Sequence, residues 1–223
     1  MRFDIITIFP KIFNSYLNES ILKRAQKNKL IEIKIHNLRD FSKDKHKKVD
    51  DKAYGGGPGM VMMAEPIVEA VQSIAKKDKR HVKTLIILFS AAGKQFDNKM
   101  AANFAKKYKN LILICGRYEG IDERVIKIIK NLKLKIKNLS IGPYVLTGGE
   151  LPAMVLIDAV ARQIPGVLGK TESLEEKRYG IGVPVYTRPA EIEFQKKKYR
   201  VPKVLLSGDH QKISEWRKKQ KKI

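Results

Sequence analysis

With 223 residues, of which 43% are apolar and 31% charged, the chain is long enough for one principal α/β core and a short appendage, and too apolar for compositional disorder. Its single cysteine, Cys115, excludes an internal disulfide or a multi-thiolate zinc site in one chain and fits a reducing, cytosolic setting, while charges interrupt every apolar run short of the roughly 20 residues a membrane helix needs. Lysine and arginine number 46 against 23 acidic residues, and a formal charge of +23 suits a polyanionic partner such as nucleic acid; since 35 of the 46 are lysine, an A·T-rich coding bias explains the excess equally well.

In chain order, residues 3–9 read as a strand meeting Pro10, without the basic flank and longer apolar core of a signal peptide. A helical pattern over 12–28 leads to a strand over 31–38, then a helix over 65–76 and a strand over 84–89. A helix over 97–107, a strand over 111–115, a helix over 121–130, a strand over 134–139 and a helix over 150–163 complete the alternation. Strands alternating with helices specify an α/β fold with a mainly parallel sheet covered on both faces, whose ligands sit beyond the carboxyl ends of the strands. Residues 166–188 have no long hydrophobic period and read as a linker or functional loop, and 189–223 read as a small helical appendage with a basic tail.

Three loops concentrate glycine. Tyr54-Gly55-Gly56-Gly57-Pro58-Gly59-Met60 permits left-handed backbone and close approach to a ligand, but has neither the Lys-Ser/Thr ending of a phosphate-binding loop nor the dinucleotide fingerprint; a tight turn is the plainer reading. Gly116 to Gly120 carries a strand into a helix, a turn where backbone amides can face a cofactor; for Arg117, Glu119, Asp122 and Arg124 a surface ion-pair cluster is the plainer reading. The stretch from Ser140 to Pro152 has the glycines and apolar side chains of a pocket wall passing close to a flat, uncharged ring. Asp158 and Arg162 have the spacing of a routine intrahelical pair. The four histidines are scattered without ligand spacing, so no metal site is expected, and Cys115 has no nearby histidine to activate it.

These segments, in this order and spacing, resemble the bacterial tRNA (guanine-N1)-methyltransferases of the SPOUT superfamily. The resemblance covers essentially the whole chain and includes Val49-Asp50-Asp51, Tyr186-Thr187-Arg188-Pro189 and Val204-Leu205-Leu206-Ser207-Gly208. It implies an α/β fold with a mainly parallel sheet, a C-terminal trefoil knot in the catalytic domain, and a small helical C-terminal domain. On that basis residues 1–165 form the cofactor-binding catalytic domain, 166–188 an interdomain linker and active-site loop, and 189–223 a tRNA-binding domain. The implied activity is methyl transfer from S-adenosylmethionine to N1 of the guanosine on the 3′ side of the anticodon. The implied partners are tRNA and a second copy of the chain in a homodimer. A different SPOUT methyltransferase acting on ribose or another base, or an RNA-binding homologue with impaired catalysis, remains the alternative. A magnesium requirement is not readable from the sequence.

Carried onto this chain, the implied cofactor contacts are Ser90, Gly93, Gly116, Tyr118, Glu119, Ile141, Gly142, Tyr144, Val145, Leu146, Gly148, Gly149 and Pro152. Substrate contacts fall on Asp50, Pro58, Gly59 and Arg188. Guanine N1 carries a proton at neutral pH, so transfer needs a base there and a donor at O6. Arg162 matches the family arginine for the second role. The family acid falls on Lys177, a departure that leaves Glu176, with Glu175 as fallback, as the nearest carboxylates for the base.

Overall fold

A computed structural model describes residues 1–76, 83–169, 174–175 and 180–220. Its framework is five short strands rich in β-branched and leucine residues. Strands β1 (Arg2–Thr7), β2 (Glu32–Asn37), β5 (Thr84–Gln95), β6 (Asn110–Ile114) and β7 (Ile136–Ser140) pair in parallel in the order β2-β1-β6-β5-β7. Alternate side chains of each central strand enter opposite cores, as the two-residue period requires. Phe3, Ile5, Leu85, Ile87, Leu111 and Leu113 pack with α1 (Asn14–Leu17), α2 (Ser20–Lys27), α4 (Asn98–Lys107) and α6 (Glu150–Ala161). Ile6, Ile86, Leu88, Ile112 and Ile114 pack on the other face with α3 (Ala64–Lys76) and α5 (Arg124–Asn131).

The expected elements form, with three differences of physical interest. The helix expected over 12–28 is a 3-10 turn, Pro10–Phe13, followed by α1 and α2, because the chain leaves the helical region at Glu19, extended at φ −121° and ψ 159°, before Ser20 opens α2 at a left-handed φ of 47°. Strand β5 runs well past residue 89: its pairing with β7 shifts between Phe89 and Lys94, and Leu139 faces both. Gly93 is required there, since a Cβ would lie 2.6 Å from the Leu139 carbonyl carbon. A short antiparallel pair not expected from the sequence, β3 (Asp50–Asp51) with β4 (Val61–Met62), closes the glycine-rich loop.

The chain divides into two compact units, Met1–Val167 and Leu168–Ile223. Val167 still belongs to the first unit's core. The second unit is not purely helical, which corrects the expectation for 189–223. It contains an antiparallel hairpin of β8 (Glu191–Phe194) and β9 (Lys197–Arg200), followed by α7 (Lys203–Leu206) and α8 (His210–Lys219). Alternating charged and apolar side chains satisfy a strand period, and Gln195 and Lys196 at φ 49° and 59° supply the two left-handed residues of a tight turn.

Candidate functional site

Strands β6, β5 and β7 are neighbours, so their carboxyl ends open side by side. A cavity of about 350 Å³ lies beyond them, within the usual size of a small-molecule site. Its floor is Leu88 and Phe89 of β5, Gly116 after β6, and Leu139 to Ile141 at the end of β7. Its walls are the turn from Gly116 to Ile121 and the loop from Tyr144 to Gly149, with Pro152 from the first turn of α6. Of the thirteen positions expected to meet the cofactor, all but Gly93 and Gly142 line it. Gly93 abuts the β7 backbone instead, and Gly142 lies beneath Tyr144, whose ring a Cβ would strike at 2.3 Å.

The turn after β6 is held in an uncommon conformation. Tyr118 has φ 59°, a left-handed value that costs a non-glycine residue on the order of 1–3 kcal/mol and is kept where neighbours over-determine it. Those neighbours come from β4 and its flanks: Glu119 N–H donates to Met60 O at 3.0 Å, Met62 N–H to Gly120 O at 2.9 Å, and Asp122 N–H to Met62 O at 3.0 Å. The glycine-rich loop is thereby stitched beside the cavity. Gly55, Gly56, Gly57 and Gly59 all have positive φ, and a Cβ on Gly59 would meet the Glu119 carboxylate at 2.5 Å. Tyr54 at the loop's start is fully exposed. Of the expected substrate contacts, Asp50 sits on β3, Pro58 and Gly59 on this loop, and Arg188 in the second unit, where it lines a separate cavity of about 920 Å³.

Of the four charged residues of this turn, Glu119 lines the cavity and the other three divide into two sets. Arg124 forks onto Asp122, with Nη2 to Oδ2 at 2.6 Å, and holds that carboxyl below its ordinary range; this pair lies at the surface. Arg117 turns inward. Its Nε donates to Glu150 Oε2 at 2.9 Å, its Nη1 to the Thr147 carbonyl at 3.2 Å, and its guanidinium lies 4.9 Å from the centre of the Phe9 ring. Glu150 is 1% exposed and accepts a second hydrogen bond from Thr7 Oγ1 at 2.8 Å. The carboxylate also stands in the first turn of α6, where the helix dipole favours a negative charge. One buried group thus ties the end of β1, the turn after β6 and the pocket loop together. It leaves almost no mark in the sequence. The only local sign is an acidic residue directly after Gly148-Gly149 at a helix start, and its partner Thr7 is 143 residues away.

Gly149 has a role different from the one its position in the loop implies. Its N–H donates to Gly116 O at 2.9 Å, and a Cβ would fall 2.6 Å from Cys115 Cα and 2.9 Å from Gly116 N. The missing side chain serves contact between two backbone segments, so a larger residue here disturbs the fold before it meets a ligand. Cys115 is buried, and burial, followed by the nearby Glu150 charge, pushes its thiol well above the ordinary range. At 1% exposure it is a packing group of the core.

Arg162 directly follows α6, with its N–H bonded to Asp158 O at 3.1 Å. The Asp158 carboxylate accepts from the Tyr16 hydroxyl at 3.0 Å. Glu175 is exposed, and its Oε1 accepts from Gly182 N–H at 2.9 Å. Glu176 and Lys177 lie outside the described residues. Among the described residues no group of three or more metal-ligating side chains occurs, and no helix is long and apolar enough to cross a membrane.

A sequence model of the family described as tRNA (Guanine-1)-methyltransferase TrmD matches residues 1–223. The chain belongs to this tRNA (guanine-1)-methyltransferase family. Curated relatives named tRNA (guanine-N(1)-)-methyltransferase include that of Dictyoglomus turgidum, 51% identical over 223 residues that make up 99% of this chain and 84% of the relative. That of Ruminiclostridium cellulolyticum is 49% identical over 99% of this chain and 91% of the relative. That of Clostridioides difficile is 48% identical over 99% and 92% respectively. For a member of the tRNA (guanine-1)-methyltransferase family, the cavity beyond β6, β5 and β7 is the natural place to test for the methyl donor. Its lining fits S-adenosylmethionine: Tyr144, Val145 and Leu146 offer an apolar wall for a flat ring, and the carboxylates of Glu119 and Glu123 suit a cationic ligand.

Proposed function

We propose that this chain methylates N1 of the guanosine on the 3′ side of the anticodon in transfer RNA, using S-adenosylmethionine, as a cytosolic homodimer. The observation that carries the reading is family membership over the full chain, with curated relatives named for transfer to guanine N1. Support for the donor comes from the glycine-walled cavity and its apolar and carboxylate lining. The SPOUT knot is consistent with the close passage of four segments in two pairs, Gly149 on Cys115 and Gly116, and Gly93 on Leu139. A crystal structure with the donor bound checks both.

When bound, the donor supplies an electrophilic methyl group on a sulfonium. The protein must then hold the N1-bearing edge of guanine toward it, take the N1 proton and stabilise charge at O6. Arg162 donates to O6, where negative charge grows as N1 loses its proton. A carboxylate accepts the proton. Glu176, adjacent to the family's acid position, is the preferred base, and Glu175, whose Oε1 accepts from Gly182 N–H, is the fallback. Asp50, Pro58, Gly59 and Arg188 take the neighbouring nucleotides.

The homodimer reading is supported by an apolar strip on the first unit. Leu151 and Val155 on α6 are 56% and 48% exposed, one turn apart, and Phe9, Ile12 and Tyr16 are 45%, 39% and 46% exposed on the segment that α6 packs against. Light scattering should give twice the chain mass, and a monomer at working concentration counts against it. The activity is tested by incubating the protein with labelled S-adenosylmethionine and bulk undermodified tRNA, then mapping the modified nucleoside. Label in 1-methylguanosine beside the anticodon is expected. Label on ribose or on another base selects the alternative methyltransferase, and donor binding without transfer selects an RNA-binding homologue.

A further inference from the structure

The second unit carries an apolar surface that its own residues leave uncovered. Among the described residues of 181–220 none is buried. In hairpin β8–β9 the register sets Glu191 opposite Arg200, Ile192 opposite Tyr199, Glu193 opposite Lys198 and Phe194 opposite Lys197. Because side chains alternate along a strand, one face carries Glu191, Glu193, Lys198 and Arg200, and the other carries Ile192, Phe194, Lys197 and Tyr199. The first face satisfies itself, with Glu191 paired to Arg200 and, at 3.1 Å, to Lys198. The second face leaves Ile192, Phe194 and Tyr199 at 55%, 64% and 52% exposure. One exposed apolar residue is ordinary; three adjacent ones on a two-stranded ribbon need a partner.

Charge decides which partner. Lys196 in the turn and Lys197 on the face make the tip basic, while Lys198 and Arg200 behind it are paired with Glu191. A second copy of the chain seated on this face would bring Lys196 and Lys197 toward their equivalents with no acidic side chain on the face to offset them. Unpaired nucleotides fit both properties, since bases stack on aromatic rings while phosphates meet lysines. We propose that this face is a docking surface for unpaired nucleotides of the RNA substrate, with Phe194 and Tyr199 stacking on bases and Lys196 and Lys197 holding adjacent phosphates. This rests on the RNA-substrate reading above and names the form of RNA that the second unit takes.

The test uses the full chain and measures affinity at fixed salt for bulk tRNA, for a labelled oligouridine and for an RNA duplex of equal length. Phe194→Ala and Tyr199→Ala should each weaken oligouridine and tRNA binding about tenfold and leave duplex binding unchanged, in line with the measured worth of one base–ring stack. Phe194→Tyr should bind like wild type and Phe194→Leu like the alanine variant, because stacking needs a ring and simple apolar contact does not. Lys197→Ala should lower the slope of log affinity against log salt by about one. Unchanged oligouridine and tRNA affinity in both alanine variants overturns the proposal, as does wild-type RNA binding by Phe194→Leu. A wild-type oligomer that dissociates in Phe194→Ala while RNA affinity stays unchanged also overturns it, in favour of self-association. A wild-type protein that binds oligouridine through these rings but does not methylate tRNA supports the docking surface and removes the methyltransferase reading instead.

Discussion

Removing the Arg117 guanidinium should both destabilise the fold and loosen the loop from Tyr144 to Gly149 that walls the cavity. In Arg117→Met the buried Glu150 carboxylate keeps a single donor, Thr7 Oγ1, and the Thr147 carbonyl loses its contact. Arg117 is 20% exposed at its side chain and Glu150 1%, so solvent replaces little of what is lost. Leaving one member of such a pair unpartnered costs about 3–5 kcal/mol. For a chain of this size that corresponds to a fall in melting temperature of roughly 6–20 °C. Adding Glu150→Gln removes the unpaired charge while keeping an amide to meet Thr7. The double variant should therefore melt above Arg117→Met alone, by at least about 1 kcal/mol of recovered stability. Thermal melts followed by circular dichroism read the first effect. Calorimetric titration with S-adenosylmethionine reads the second, in which Arg117→Met binds at least about tenfold more weakly because Thr147 and Gly148 lose their anchor, on the scale of one charge-assisted hydrogen bond. Strictly additive losses in the double variant, or unchanged donor affinity in a folded Arg117→Met protein, would refute the reasoning.

Gly149→Ala should lower the melting temperature even without ligand, since its Cβ meets backbone at 2.6 Å; a variant as stable as wild type but defective in donor binding would return Gly149 to a ligand-facing role. Single-turnover transfer measured against pH should show Glu176→Gln losing about 10²-fold or more near neutrality and recovering as hydroxide substitutes, with Glu175→Gln affected less. Wild-type rates in both glutamine variants exclude a carboxylate base, and a large loss only in Lys177→Ala points to a neutral lysine. Mixing Arg162→Ala chains with Glu176→Gln chains should restore part of the activity if each site draws on two chains, and no rescue counts against a shared site.

Much of the first unit was legible because its signals are local. Runs such as Leu111 to Cys115 fill both faces of a buried strand, so their position along the chain is enough to predict a parallel sheet and, from it, a site beyond the carboxyl ends. The glycine loops were equally visible, and the positive φ values at Gly55, Gly56, Gly57 and Gly59 are what that residue type allows at little steric cost. The β8–β9 hairpin was not seen, since its Gln195-Lys196 turn lacks the usual glycine or asparagine and its strands are mostly charged. The Glu150 cluster was invisible for a different reason: Thr7, Arg117 and Glu150 have nothing in common along the chain and become partners only after β1, β6 and α6 converge. Residue types and their spacing thus determined which segments fold and where a ligand can approach. Only the tertiary structure decided which glycines serve backbone contact rather than a ligand, and which charge lies buried at the base of the loop. Both depend on distances between residues far apart in sequence, which no local period encodes.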